Sequence, residues 1–425
     1  MRQRNIFFAV LLLLGSSGLS GCASGAVPEI RGMIAQGTHV DNLDLSGLEV
    51  KDGKVKLEGW AKDRLAEKIV LVYNETEIPV ALSELGIELD LGKTWEKVSL
   101  AQGSAVSAQV TVDKTKAAEV LHSKLNGLAK PAQDASYRIV NDKFVLQPGV
   151  PGKAVVVDSL LSQLDVKSAQ EIPRQIQVPV VEVSPAVTTA TIQALAFDAV
   201  VGEFSTQYSL QEENRAANLQ EAAKALDRKV VLPGETFSFN GTVGPRTPET
   251  GYKDAYVIVN NEYVQGTGGG VCQVSSTIYN AVLLAGLPIV ERVPHAVAIA
   301  YVPLGQDATV NYSNIDFKFK NNTPGIIYIR TEAKGGQLTI RLYGKKSGQT
   351  VQIEHEIKKE TDFQIEKRAD PDLPPGKTIQ EQAGSKGYTV ESWRILRDSQ
   401  GKESKEYLGK DDYAPANRII RYGVK

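Results

Sequence analysis

The chain has 425 residues, 42% hydrophobic and 23% charged, an ordinary balance for globular folds and enough length for roughly two to four domains. Its formal net charge of −2 gives no global electrostatic case for a nucleic-acid partner. The histidines His39, His122, His295 and His355 are scattered without zinc-site spacing, and neither a phosphate loop nor a dinucleotide fingerprint occurs, so neither metal nor cofactor is expected.

The first residues, MRQRN, carry Arg2 and Arg4, and IFFAVLLLL follows. That apolar run is too short and wrongly flanked for a spanning helix, so 1–22 reads as a secretory signal peptide. It ends in Leu19-Ser20-Gly21-Cys22, which resembles the bacterial lipobox. The resemblance implies cleavage before Cys22 and acylation of its thiol, which would tie the protein to the lipid bilayer at the extracytoplasmic face of the membrane. Cys272, the other cysteine, then has no intramolecular partner in an oxidising compartment.

Residues 23–45 open with small residues and read as a tether. KVKLEGW, KIVLVYN and VALSELGIELDL read as β-rich runs. A helix follows with Ala117, Val120, Leu121 and Leu125 on one face, closed by Asn126-Gly127. ASYRIVNDKFVLQPG is a hairpin turning at Asn141-Asp142, GKAVVVDSLLSQLDV leads into a short helix, and EIPRQIQVPVVEVSPAV is a strand. Residues 46–195 therefore form a mixed α+β module. Within it, PAQDASY, LQPGVPGKAVV and VPVVEVSPAVT resemble the peptidoglycan-binding domain that accompanies L,D-transpeptidase and VanW domains in Gram-positive surface proteins. That resemblance implies peptidoglycan or its stem peptides as a partner.

From 207 onward, Ser209 and Glu212 form a capping box ahead of a helix with Ala216, Leu219, Ala223 and Leu226 on one face. Short strands and turns lead to a second helix, about 273–285, with Val274, Ile278, Val282 and Ala285 buried and Gly286 and Pro288 stopping it. AVAIAYVP, ATVNYS, DFKFKN, GIIYIRTEA and LTIRLYG read as strands. From 350 the chain is charged and strand-like, with a break at PDLPPG, a hairpin turning at Ser399 to Gly401 and a closing strand RIIRYGVK. This 350–425 segment loosely resembles a G-five domain. The expected class is α+β and multidomain: a mixed N-terminal module, an α+β domain over 203–345 and a small β-rich C-terminal extension.

The chemistry centres on GTGGGVCQ, residues 266 to 273. The glycines permit positive φ and a sharp entry into a helix whose first turn holds Cys272. Unpaired N–H groups and partial positive charge at a helix start stabilise a thiolate and suit an oxyanion. His295 is the candidate base. Asp307 or Asp316 would orient it; spacing does not choose between them, and Asp316 is taken with Cys272 and His295 as the candidate catalytic set. Gly269, Gly270, Gln273 and Arg246 form the candidate substrate-binding set. The Ser-His-Gly-Cys-Arg run of L,D-transpeptidases is missing from the sequence.

NRAANLQEAA, VLPGETFSFNGTVGPRT, GYKDAYVI, GGGVCQVSSTIYNA and ERVPHAVAIAYVPLGQDATVNYSNIDFKFKNN together resemble the VanW family over Phe204 to Gly344. The resemblance implies a cell-envelope protein. Ala296 departs from it, because many members carry serine after the histidine. Two functions fit. One is an anchored protein that binds or remodels peptidoglycan through a Cys–His thiol centre acting on stem peptides. The other is a non-catalytic wall-binding or scaffold lipoprotein in which Cys272 is structural.

Overall fold

The computed structural model describes residues 32–259 and 261–424. The expected signal peptide and lipidation residue Cys22 lie outside the described residues. The chain divides into two units, Met1–Ala132 with Pro151–Ser184, and Gln133–Val150 with Pro185–Lys425.

In the first unit, the β-branched strand Lys68–Tyr73 buries Ile69, Leu71 and Val72. It pairs antiparallel with Thr76–Ala81 and parallel with Gln175–Gln177. Helices Leu91–Leu100 and Lys114–Leu125 start at Asp90 and Asp113, whose carboxylates accept first-turn N–H groups. Leu121, Leu125, Leu160 and Leu164 complete the core with Leu71 and Leu85. KVKLEGW, expected as a strand, belongs to the helix Val50–Ala66. Gly53, Leu57 and Ala61 recur every fourth residue as its buried face, whereas Val55, which created the alternating pattern, is exposed.

The second unit contains the hairpin Ser136–Val140 with Lys143–Gln147, closed by Asn141 and Asp142 at φ 50° and 57°, the pair of positive values that a tight hairpin turn requires. Residues 133–150, inside the expected 46–195 module, thus pack with this unit. Tyr137, Ile139 and Phe144 lie against Phe197, Ile326 and Tyr328. The main sheet is antiparallel in the order Ala199–Gln207, Gln337–Gly344, Ile327–Lys334, Val230–Val231. Helix Glu213–Leu226 packs on it through Ala216, Leu219, Ala222, Ala223 and Leu226. The expected capping box does not form. Glu212 is the N-cap residue without a side-chain bond, and Ser209 Oγ instead accepts from Gln211 N at 3.2 Å, so the serine shapes the turn before the helix.

Helix Val271–Leu284 is buried along almost its whole length, with Cys272 part-exposed. Gly202 lets the sheet approach it, because a Cβ there would lie 2.1 Å from Ala281 O. The helix also buries Ser275, Ser276 and Asn280. AVAIAYVP and ATVNYS, expected as strands, form an irregular segment with isolated bridges at Val297 and Asn311, and these side chains bond its backbone at Gln306 and Ala308. Ser275 Oγ donates to Ala308 O (2.6 Å), Ala308 N donates to Ser276 Oγ (2.9 Å), and Asn280 Nδ2 donates to Gln306 O (2.7 Å). Helix side chains take the bonds that a neighbouring strand would otherwise supply.

The C-terminal region forms two three-stranded sheets, Thr350–Thr361, Gly387–Arg397, Glu403–Tyr413 and Ile365–Pro375, Ala416–Gly423, Thr378–Ser385, each in that order. PDLPP does not interrupt its strand but shifts the register between Asp370 and Pro375. Arg394, 2% exposed, donates to Leu287 O at 2.8 Å just past the end of helix Val271–Leu284.

Gly202→Ala is expected to overpack the helix–sheet contact and lower stability by roughly 1–3 kcal/mol, read as a lower urea midpoint for the second unit.

Candidate thiol site

Gly268 and Gly270 adopt φ of 87° and 108°, values that strain any residue with a Cβ, and Gly270 is the N-cap of helix Val271–Leu284. A Cβ on Gly269 would fall 2.5 Å from Tyr256 O, and one on Gly270 would fall 3.0 Å from Arg215 O. Both glycines, taken from the sequence as substrate-binding, face protein and position the helix start. Asn218 fixes them: its buried amide donates to Gly269 O at 3.0 Å and accepts from Lys253 N at 2.7 Å.

Cys272 therefore stands in the first helical turn. Its Sγ approaches Val310 O at 3.5 Å, and the His295 imidazole stands near enough to act on the thiol. His295 Nδ1 donates to Asp307 Oδ2 at 2.6 Å, and the backbone N of His295 donates to the same oxygen at 2.6 Å. This leaves Nε2 for the sulfur. Asp307 Oδ1 accepts from Tyr413 Oη (2.5 Å) and Arg292 Nη2 (3.0 Å). Arg292 also donates to Asp307 O (2.6 Å) and to both oxygens of Asp411 (2.6 and 2.7 Å). Tyr301 stands edge-on to the imidazole, with ring centres 6.4 Å apart.

The electrostatics follow from this geometry. Burial alone would raise the Asp307 carboxyl, but His295, Arg292 and Tyr413 bring it down to about 2. Burial alone would lower His295, but Asp307 and the sulfur raise it to about 9. Burial pushes the Cys272 thiol up, and the imidazole, aided by the Arg246 cation, pulls it below its ordinary value. Each partner favours the charged form of the other.

Asp316, taken from the sequence with Cys272 and His295, lies elsewhere. It accepts from Ser238 Oγ (2.6 Å), Asn240 N (2.8 Å) and Phe317 N (2.8 Å) and pins that turn, while Asp307 holds the orienting position. Gln273, expected beside the thiol, points into the core. It accepts from Arg215 Nη2 (2.7 Å) and donates to Thr206 Oγ1 (3.0 Å) and Gln207 O (2.8 Å). Successive helix residues diverge by about 100°, which separates it from Cys272. Arg246 lies beside the site, stacked near the rings of Phe239 and Tyr312. Asp307 orients the imidazole without a hydroxyl at position 296, where the chain has Ala296. Tyr413 and Asp411 were not foreseen: they lie in the C-terminal sheets, 106 residues beyond Asp307 in the case of Tyr413, and no local motif marks them.

Comparison with known proteins places the site in context. Residues 214–343 match the family "VanW like protein", 64–177 match "Putative peptidoglycan binding domain", and 352–425 match "G5 domain". The chain is 38% identical over 205 residues to the uncharacterized protein YoaR of Bacillus subtilis, a match covering 48% of this chain and 67% of YoaR. It is 36% identical over 119 residues to the vancomycin B-type resistance protein VanW of Enterococcus faecalis, covering 27% of this chain and 43% of that protein. A solved G5 domain of an IgA1 protease is 31% identical, covering 18% of this chain and 93% of that one, with a TM-score of 0.13. With its VanW-like domain between a peptidoglycan-binding domain and a G5 domain, and YoaR and VanW as homologues, the chain belongs to the VanW family.

Proposed function

We propose that Cys272, His295 and Asp307 form a nucleophilic thiol centre that performs acyl transfer on the peptide part of peptidoglycan. The observation that carries this reading is the His295 Nδ1–Asp307 contact of 2.6 Å, which turns the other face of the ring to a part-exposed cysteine at a helix start. The domain set indicates association with the cell wall, and acylation of Cys22 would hold the centre at the outer membrane face. In the reaction, the Cys272 thiolate attacks a stem-peptide carbonyl. The N–H of Cys272, without an intrahelical acceptor in the first turn, is available to the developing oxyanion. His295 gives its proton to the leaving amine, and water or another amine, deprotonated by His295, resolves the acyl-enzyme.

A second reading rests on the contact of the sulfur with Val310 O and its packing against the core. There Cys272 is structural and the protein binds or scaffolds the wall without catalysis. It predicts that Cys272→Ser changes stability and leaves function intact.

Alkylation by iodoacetamide separates the two. In folded protein lacking residues 1–22, Cys272 is the sole cysteine. The rate is expected to step up with pH at a midpoint well below about 8.5, the ordinary thiol value; a thiol inert through that range sinks the catalytic reading. In His295→Ala the cation is gone while burial remains, so the midpoint is expected to move above the ordinary value. An unchanged rate profile would remove His295 from the mechanism.

Asp307→Asn is expected to cost roughly 3–5 kcal/mol at pH 7, the range for breaking a buried charge pair. The sign with pH also follows. A carboxyl lowered to about 2 in the folded state, against about 3.9 unfolded, stabilises fully above about pH 4 and loses that contribution as pH falls through about 2. Acid titration of unfolding free energy should show this loss in the parent and a smaller one in the variant.

A further inference from the structure

We infer that Arg246 is an anion receptor beside the thiol, and that the substrate is a peptide bearing a free carboxylate close to the carbonyl that Cys272 attacks. This rests on the thiol reading and adds the substrate's charge to it.

The guanidinium is held but not used. Its carbon lies 5.5 Å from the centre of the Phe239 ring and 5.8 Å from that of Tyr312, stacking that fixes a cation while leaving its N–H edges free. Nη1 and Nη2 are buried and have no hydrogen-bond partner among the described residues. The neighbouring carboxylate, Asp316, is committed to Ser238, Asn240 and Phe317. Other shielded arginines of this unit behave differently. Arg215 donates to Gln273, Arg292 to Asp307 and Asp411, Arg330 to Asp227, and Arg394 to Glu406. A guanidinium does not shed its proton to relieve burial, so its charge calls for an anion.

Its place in the fold brings that anion to the sulfur. The Arg246 stem packs on the glycine loop, where a Cβ on Gly268 would lie 3.0 Å from Arg246 Cβ, and that loop leads directly into the turn holding Cys272. In the resting site the cation favours the charged form of the thiol. Once the sulfur is acylated that charge is gone, and a substrate carboxylate takes over the pairing. Tyr312, whose ring centre lies 5.8 Å from the guanidinium carbon, is itself 44% exposed. Tyr312 also borders a cleft of about 390 Å³ whose lining includes Glu291, Asp316 and Lys318 but not Arg246 or Cys272, so the receptor proposed here lies on the sulfur side of Tyr312 and not in that cleft. The planar fork of arginine matches a carboxylate with two parallel hydrogen bonds, which an amidated peptide cannot reproduce.

Two alkylating reagents test this without a known substrate. Iodoacetate and iodoacetamide undergo the same displacement of iodide by thiolate and differ in a carboxylate against an amide. On protein lacking residues 1–22, at a pH where the thiolate is fully formed, the iodoacetate-to-iodoacetamide rate ratio for Cys272 is expected to exceed that of a free small thiol by roughly tenfold or more, the worth of one charge-assisted hydrogen bond. Arg246→Gln should return the ratio to the free-thiol level, both rates being read at a pH where that variant's own thiolate is fully formed, and Arg246→Lys should keep part of the preference. A ratio unaffected by Arg246→Gln overturns the receptor and leaves the thiol centre standing. Inertness to both reagents in the parent overturns the thiol centre, and the receptor with it. Acetate competition on the unsubstituted protein gives a reading free of folding effects: saturable protection against iodoacetamide supports the site, and none at any concentration overturns it.

Discussion

Asp307 places a full negative charge at 1% exposure and surrounds it with the backbone and ring N–H groups of His295, the guanidinium of Arg292 and the hydroxyl of Tyr413. An unpaired carboxylate in that position would cost several kcal/mol, so the donors and the charge require one another. The imidazole is fixed because the carboxylate is there. The sulfur is polarised because the imidazole is fixed. The irregular segment that carries both His295 and Asp307 stays in place because its two ends meet at this carboxylate and the backbone of Gln306 and Ala308 is met by Ser275, Ser276 and Asn280 of the adjacent helix. Removing any one of these supports leaves buried polar groups without partners, which is the costly asymmetry of hydrogen bonding in an interior.

The same arrangement explains an unusual helix. Val271–Leu284 is buried on every side, yet holds a row of hydroxyl and amide side chains. Apolar residues such as Val274, Ile278 and Val282 face the core, while the polar residues act as a substitute strand edge for the segment alongside. A purely apolar helix would pack as well against the sheet, but it would give the segment carrying His295 and Asp307 nothing to bind. Arg394 adds a bond just beyond the far end of the helix, from the C-terminal sheets.

Much of this was legible in the sequence where one element answers to one local signal. The Asn141-Asp142 hairpin, the stripe of Ala216, Leu219, Ala223 and Leu226, the glycine entry to the cysteine helix and the closing hairpin near Gly401 all depend on neighbours in the chain. What failed to show depended on partners distant in sequence. AVAIAYVP has the composition of a strand, yet it makes only a single bridge, Val297 to Ala414, a partner far along the chain. KVKLEGW alternates for a few residues within a longer four-residue period. Asp307 and Asp316 are equivalent by spacing, and the choice is made by Tyr413 and Arg292, which no motif connects to the histidine. Gln273 adjoins Cys272 in the chain and diverges from it in space.

The C-terminal sheets have a further consequence, which concerns timing. A protein is made from its N-terminus, so Cys272 and His295 emerge well before Tyr413 and Asp411, the groups that complete the surroundings of Asp307 and Arg292. Until those strands are made and folded, the carboxylate lacks one of its donors and the arginine lacks its second partner. The imidazole is held less firmly and the thiol stays closer to its ordinary value. Under the thiol reading, the reactivity of Cys272 then depends on completion of the β-rich region, and a nascent or truncated chain carries this thiol in a muted form.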